Sequence, residues 1–109
     1  MAGKFEVYVD KSGEHRFRLK AGNGEIILSS EGYSAKAGCA NGIESVRKNA
    51  VDAANFEKKE TASGKFRFNL KAANKQVIGT SQSYSSASGR DNGIASVQKN
   101  APDAKVAEA

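Results

Sequence analysis

The chain has 109 residues, 39% hydrophobic and 27% charged, a globular balance that excludes a disordered or fibrous protein. A net charge of +5, one cysteine and one proline exclude a disulfide scaffold and a proline-rich segment. The longest strongly apolar run, Ile26-Ile27-Leu28, is far too short to span a bilayer, and Met1-Ala2-Gly3-Lys4-Phe5 has no signal-peptide core, so a soluble, cytoplasmic protein is expected, with no membrane contact.

The first predicted element is a strand at Phe5-Glu6-Val7-Tyr8-Val9, where apolar and polar residues alternate with period two. Asp10-Lys11-Ser12-Gly13 supplies turn residues. A second strand, His15–Ala21, puts His15, Phe17 and Leu19 on one face and Arg16, Arg18 and Lys20 on the other. Gly22-Asn23-Gly24 predicts a hairpin, with Asn-Gly suited to the positive φ of a type I′ turn, and a third strand follows at Glu25–Ser30. Then the period changes. Cys39, Ile43, Val46 and Ala50 recur at helical spacing, and Ser34 is the expected N-cap of a helix ending near Asn49.

These elements then recur. A shift of 51 positions lays Lys4–Ala53 on Asn55–Ala104 without a gap, with 25 of 50 positions identical. Asn41-Gly42-Ile43-Glu44-Ser45-Val46-Arg47-Lys48-Asn49-Ala50 falls on Asn92-Gly93-Ile94-Ala95-Ser96-Val97-Gln98-Lys99-Asn100-Ala101. Ser85 is then the second N-cap, and Pro102 ends the second helix. The second copy's first strand, Phe56-Glu57-Lys58-Lys59-Glu60, has a single apolar residue, as suits an edge or bridging strand. Lys105-Val106-Ala107 is either a final short strand or a frayed tail.

A three-stranded meander with one helix cannot close a core alone. The expected fold is therefore α+β: a tandem duplication of a β-β-β-α(-β) unit, forming one mainly antiparallel sheet with two helices packed on one face. Repeats 1–54 and 55–109 together make one globular domain, and the internal pseudo-two-fold favours a monomer. Residues 1–54 alone should be unfolded or self-associate.

The pattern Arg-Phe-Arg-Leu-Lys-Ala-Gly-Asn-Gly, an apolar strand, Tyr-Ser, and a helix containing Asn-Gly-Ile-x-Ser-Val-x-x-Asn-Ala resembles the YegP-like family of bacterial proteins. The resemblance covers nearly the whole chain. It implies β-β-β-α-β units that share one sheet and exchange terminal strands, and it implies no assigned activity. The departures are Lys58 and Lys59, at apolar positions of the first copy, and Gly79, opposite Leu28 in the overlay.

No residue stands out as catalytic, and no cofactor is implied. His15 overlays Phe66 and reads as a half-buried ring; Cys39 overlays Arg90 and reads as a buried, inert thiol. His, Cys, Asp and Glu form no cluster at metal-ligand spacing, and Gly22-Asn23-Gly24 joins strands rather than opening a helix onto a phosphate. Two surfaces are candidates for binding. One is the polar helix stripe, Asn41, Ser45 and Lys48, repeated as Asn92, Ser96 and Lys99. Beside it lie Gly38, Gly42, Gly89 and Gly93; two glycines per helix cost about 2 kcal/mol relative to alanine. Either close packing, such as helix on helix, or a groove for a ligand would offset that cost. The other surface is the basic sheet face, Arg16, Arg18, Lys20, Arg67 and Lys71, which suits an anionic partner or nucleic acid. Residues 1–54 carry eight Lys/Arg against seven Asp/Glu, and residues 55–109 nine against five, so the second half holds +4 of the +5. A non-catalytic binding module is the preferred expectation. Nucleic-acid binding through the sheet, or a small enzyme built from Asn, Ser, Lys and Tyr at the repeat interface, are the alternatives.

Overall fold

The computed structural model describes residues 3–108. The first repeat forms strands β1 (Lys4–Val9), β2 (His15–Lys20) and β3 (Ile26–Ser29) and helix α1 (Lys36–Asn49). After a 3-10 turn at Ala53–Asn55 the second forms β4 (Phe56–Glu60), β5 (Phe66–Lys71), β6 (Val77–Thr80) and α2 (Ala87–Asn100). A second such turn at Ala101–Asp103 leads to β7 (Lys105–Glu108). All strands join one seven-stranded sheet in the order β4-β5-β6-β3-β2-β1-β7. Among the described residues only β1 and β7 pair in parallel. The repeats meet at its centre, where Ser29 faces Thr80. The charged β4 is one edge, and the segment left open between strand and tail is the other.

The period-two pattern of β2 buries Phe17 and Leu19 completely, and β5 does the same with Phe68 and Leu70. Cross-strand register sets Arg18, Ser29, Thr80 and Asn69 in one row on one face. The four buried side chains therefore share the opposite face, beneath the helices. Each such side chain contributes roughly 1.5–3 kcal/mol relative to its exposed state. α1 packs on β2 and reaches β5 and β6 of the other repeat, while α2 packs on β5 and reaches β3. Arg47 of α1 donates to the carbonyl oxygen of Pro102 at 3.1 Å. Each helix thus covers strands of both repeats.

Three local expectations need correction. The helices start later than Ser34 and Ser85: the N-cap of α1 is Ala35, with no side-chain bond, and that of α2 is Ser86, whose Oγ accepts from Gly89 N at 3.0 Å. The cause is a long-range pairing. Tyr33 exchanges both backbone hydrogen bonds with His15, and Tyr84 does so with Phe66, which holds each Tyr-Ser pair extended. The hairpin at Gly22-Asn23-Gly24 forms, but not as type I′: only Gly24 has positive φ, at 88°, and its N–H donates to Ala21 O at 2.9 Å. That is a type I turn followed by a left-handed residue, accompanied by a register shift after Leu19. Val9 was expected on the apolar face of β1 but is exposed at the strand end.

The helix glycines have a different partner from either expected one. A Cβ on Gly42 would lie 2.5 Å from Tyr33 Oη and 3.0 Å from Phe17 Cε2. A Cβ on Gly93 would overlap Tyr84 Oη. Tyr33 stacks on Phe17 at 6.3 Å and Tyr84 on Phe68 at 6.3 Å, each ring lying against its own helix. Packing of an aromatic pair offsets the propensity lost at the glycines. The space beside the helix backbone is filled by tyrosine, not by the other helix or a ligand.

Candidate functional site

The helices cover one face of the sheet and leave the other open. Across that open face runs a row set by register: Glu6, Arg18, Ser29, Thr80, Asn69 and Glu57. In the first repeat its charges are matched. Glu6 accepts from Arg18 at 2.6 Å and from Lys20 at 3.3 Å, and Lys4 lies 3.7 Å away. Arg18 and then Lys20 hold its carboxyl below the usual range against the opposing effect of burial. Arg18 also stacks over the Tyr8 ring, 4.6 Å from its centroid. Arg16 donates to Asp10 at 2.5 Å, which lowers the Asp10 pKa.

The second repeat is less complete. Glu57 accepts from Lys71 at 2.9 Å and from Asn69 at 3.3 Å, and Lys59 lies 3.6 Å away. Lys71 first, then Asn69, lowers its pKa. Arg67, the counterpart of Arg16, has neither an ion pair nor a hydrogen-bonding partner among the described residues. The position of Asp10 is taken by Thr61. Lys59, Glu60, Thr61, Arg67 and Asn69 line a groove of about 300 Å³ there. Of the five basic residues predicted for this face, the fold gathers all on the open side, gives Arg16, Arg18, Lys20 and Lys71 a carboxylate partner, with Glu6 shared between Arg18 and Lys20, and leaves Arg67. Lys59 and Thr61 were missed. The signal for them was in the repeat overlay, as differences rather than identities.

The helix stripe stays divided. Asn41, Lys48, Asn92 and Lys99 are exposed. Ser45 is engaged by Asn49, whose Nδ2 donates to its carbonyl at 2.8 Å and its hydroxyl at 3.2 Å. Ser96 and Asn100 repeat this at 2.8 and 3.1 Å. Asn49 and Asn100 are buried and finish the helices.

A third place lies at the β7 corner. Tyr8, His15 and Lys36 from the first repeat and Glu108 from the second line a cavity of about 190 Å³, and Lys36 pairs with Glu108 at 2.7 Å. Beside it Val106 shields Val7, Cys39 and Ile43 around a smaller cavity of about 90 Å³. Cys39 is buried, and burial pushes its thiol pKa up, which suits an inert side chain. Among the described residues no three His, Cys, Asp or Glu side chains could hold a metal ion. No helix of the described residues is long and apolar enough to cross a membrane.

A family model described as a domain of unknown function, DUF1508, matches residues 10–57 and again residues 62–108. The chain belongs to the DUF1508 family. The matches are offset from the repeats: each begins after a first strand, β1 lies outside both, the first runs on into β4 and the second ends with β7. This DUF1508 chain is 63% identical over 108 residues to a UPF0339 protein in the ptx operon 5′ region of Stutzerimonas stutzeri, covering 99% of this chain and 97% of that one. It is 53% identical over 100 residues to the UPF0339 protein YegP of Escherichia coli K12, covering 92% and 91%. The solution structure of E. coli yegP superposes with a TM-score of 0.94 at 50% identity, covering 99% of this chain and 93% of that one. A UPF0339 protein from Shewanella oneidensis gives 0.93 at 48%, covering 99% and 92%. The sheet with two helices is therefore the architecture of this DUF1508 protein and of its solved relatives.

Proposed function

We propose that the protein is a non-catalytic binding module that engages an anionic partner with the open face of its sheet. The observation that carries this reading is the imbalance between repeats. Each cation of the first repeat's open face has a carboxylate partner, Asp10 for Arg16 and the shared Glu6 for Lys4, Arg18 and Lys20, whereas Arg67 keeps its place in the second repeat without the acid. An open face with unmatched cations attracts polyanions by long-range steering and by release of their counterions. The enzyme reading has less support. The stripe residues Asn41, Lys48, Asn92 and Lys99 line neither the groove at Arg67 nor the cavity at the β7 corner.

Mobility shift with mixed-sequence DNA and RNA at low salt, beside retention on heparin, tests the reading. The expected result is weak retention that falls with salt and is reduced in Arg67→Gln. No shift at micromolar protein together with no retention on heparin overturns it.

A further inference from the structure

The geometry points to a phosphate-binding site at Arg67, in the groove between the β4–β5 turn and the open face, with Lys59 and Lys65 as flanking cations and Thr61 as a hydroxyl contact. This site rests on the reading of the open face as the binding surface and names the group that face takes.

The first repeat acts as an internal control. There the turn residue Asp10 has two tasks. Its carboxylate accepts from Ser12 N at 2.9 Å and Glu14 N at 3.0 Å, which holds the turn, and its other oxygen neutralises Arg16. Thr61 keeps part of the first task and drops the second. Its Oγ1 accepts from Lys65 N at 3.0 Å and shares a hydrogen bond with Ser63 Oγ at 3.0 Å in place of the bond from Ser12 N. The backbone bonds between Thr61 and Lys65 and from Gly64 to Thr61 are retained, so the turn keeps its shape while the counter-ion of the arginine is gone.

Two further exchanges act in the same direction. Glu14 becomes Lys65, and Tyr8 becomes Lys59. Lys59 stands directly opposite Arg67 across β4 and β5. Like charges facing each other across a strand pair destabilise it. In the first repeat Asp10, Lys11, Glu14 and Arg16 sum to 0; in the second, Lys59, Glu60, Lys65 and Arg67 sum to +2, Glu60 included and its counterpart Val9 being neutral. A bound dianion would turn that repulsion into attraction. The planar guanidinium fork of arginine suits a phosphate better than a lysine alone does. Arg67 is half-buried in the groove wall, so its reach is restricted.

The test is an NMR titration of the full chain with inorganic phosphate, and with sulfate as a second tetrahedral anion, at fixed ionic strength. Saturable shifts are expected at Thr61–Arg67 and Lys59, with half-saturation in the millimolar range. Arg67→Gln should weaken binding about tenfold or more. Thr61→Asp restores the carboxylate in a turn that already accepts aspartate in the first repeat, and it should abolish the response without unfolding the chain. Shifts scattered over the lysines of both repeats, or unchanged in Arg67→Gln, overturn the site. Polyanion binding that survives Thr61→Asp would leave the open-face reading standing and remove the site. A phosphate response without any polyanion retention would keep the site and remove the larger reading.

Discussion

Replacing Gly42 with alanine should destabilise the protein, although the same change in an ordinary helix stabilises by about 1 kcal/mol. The reason is Tyr33. The new Cβ would sit 2.5 Å from its hydroxyl oxygen, 2.9 Å from Cζ and 3.0 Å from Phe17 Cε2. Phe17 is fully buried and has no room to retreat, and the half-buried Tyr33 ring can move only by giving up its stacking on Phe17. Overpacking of this kind costs about 1–3 kcal/mol, leaving a net loss of up to about 2 kcal/mol after the gain in propensity. At about 4 °C per kcal/mol, the melting temperature should fall by up to about 8 °C. Gly38 provides the control one turn earlier. Its Cβ would meet Tyr33 Cδ1 at 3.4 Å, an ordinary contact, so Gly38→Ala should stabilise by about 0.5–1 kcal/mol. Tyr33→Phe removes the nearest atom and should recover part of the Gly42→Ala loss, a coupling readable in a double-mutant cycle by urea titration. Equal stabilisation by both glycine substitutions would refute the account of the tyrosine slot.

Lys75 occupies the left-handed position that Gly24 holds in the first repeat, at φ 73°, so Lys75→Gly should raise the urea midpoint by the equivalent of about 1 kcal/mol. The unequal N-caps predict opposite effects: Ala35→Ser should stabilise, and Ser86→Ala destabilise, each by about 1 kcal/mol in thermal melts. Glu6, Asp10 and Glu57 all have lowered pKa values in the folded state, so their contribution is present above the unfolded values and is lost as pH falls through the folded ones. Stability should therefore drop below about pH 4.5, less steeply in Glu6→Gln and at high salt, as followed by acid titration of the circular dichroism. Deleting residues 105–109 removes β7 from over Cys39, and the thiol should then react with a thiol reagent many times faster than in the intact chain.

The repeat, the period-two strands and the charged edge at β4 were legible because each is written in local pattern. The caps were not, because Tyr33 and Tyr84 are held extended by strand residues eighteen positions earlier, His15 and Phe66. The glycines were legible as a cost but not as a slot, since the filling rings belong to residues just before the helix whose direction only the packed sheet sets. The departures in the second copy also have a physical reason. β7 lies beside β1 and shields Val7 and Cys39, but no described strand lies outside β4. The equivalents there are Lys58 and Arg90, with Asp91 in place of Ala40. Lys58 pairs with Asp91 at 3.2 Å, and Arg90 reaches Asp91 at 3.2 Å while lying 5.4 Å from the Phe66 ring centroid. Charge replaces a covering strand and blunts the edge. Gly79 is explained likewise: a Cβ there would fall 2.7 Å from Leu28 at the junction of the repeats. At the candidate site, the basic face was visible in sequence, but which cation lacks a partner depends on register. Glu6 reaches Arg18 and Lys20 only because β1 and β2 pair as they do. Retention between the repeats points to the helix stripe, whereas Asp10 and Thr61 stand where the repeats differ.

The most direct measurement is an amide-shift map of the full chain titrated with a short mixed-sequence oligonucleotide at low salt. The account predicts that the largest changes fall on β4, β5 and the turn between them, centred on Arg67, and vanish as salt rises. Changes centred instead on the helices at Asn41, Lys48, Asn92 and Lys99, with Arg67 silent, would contradict it.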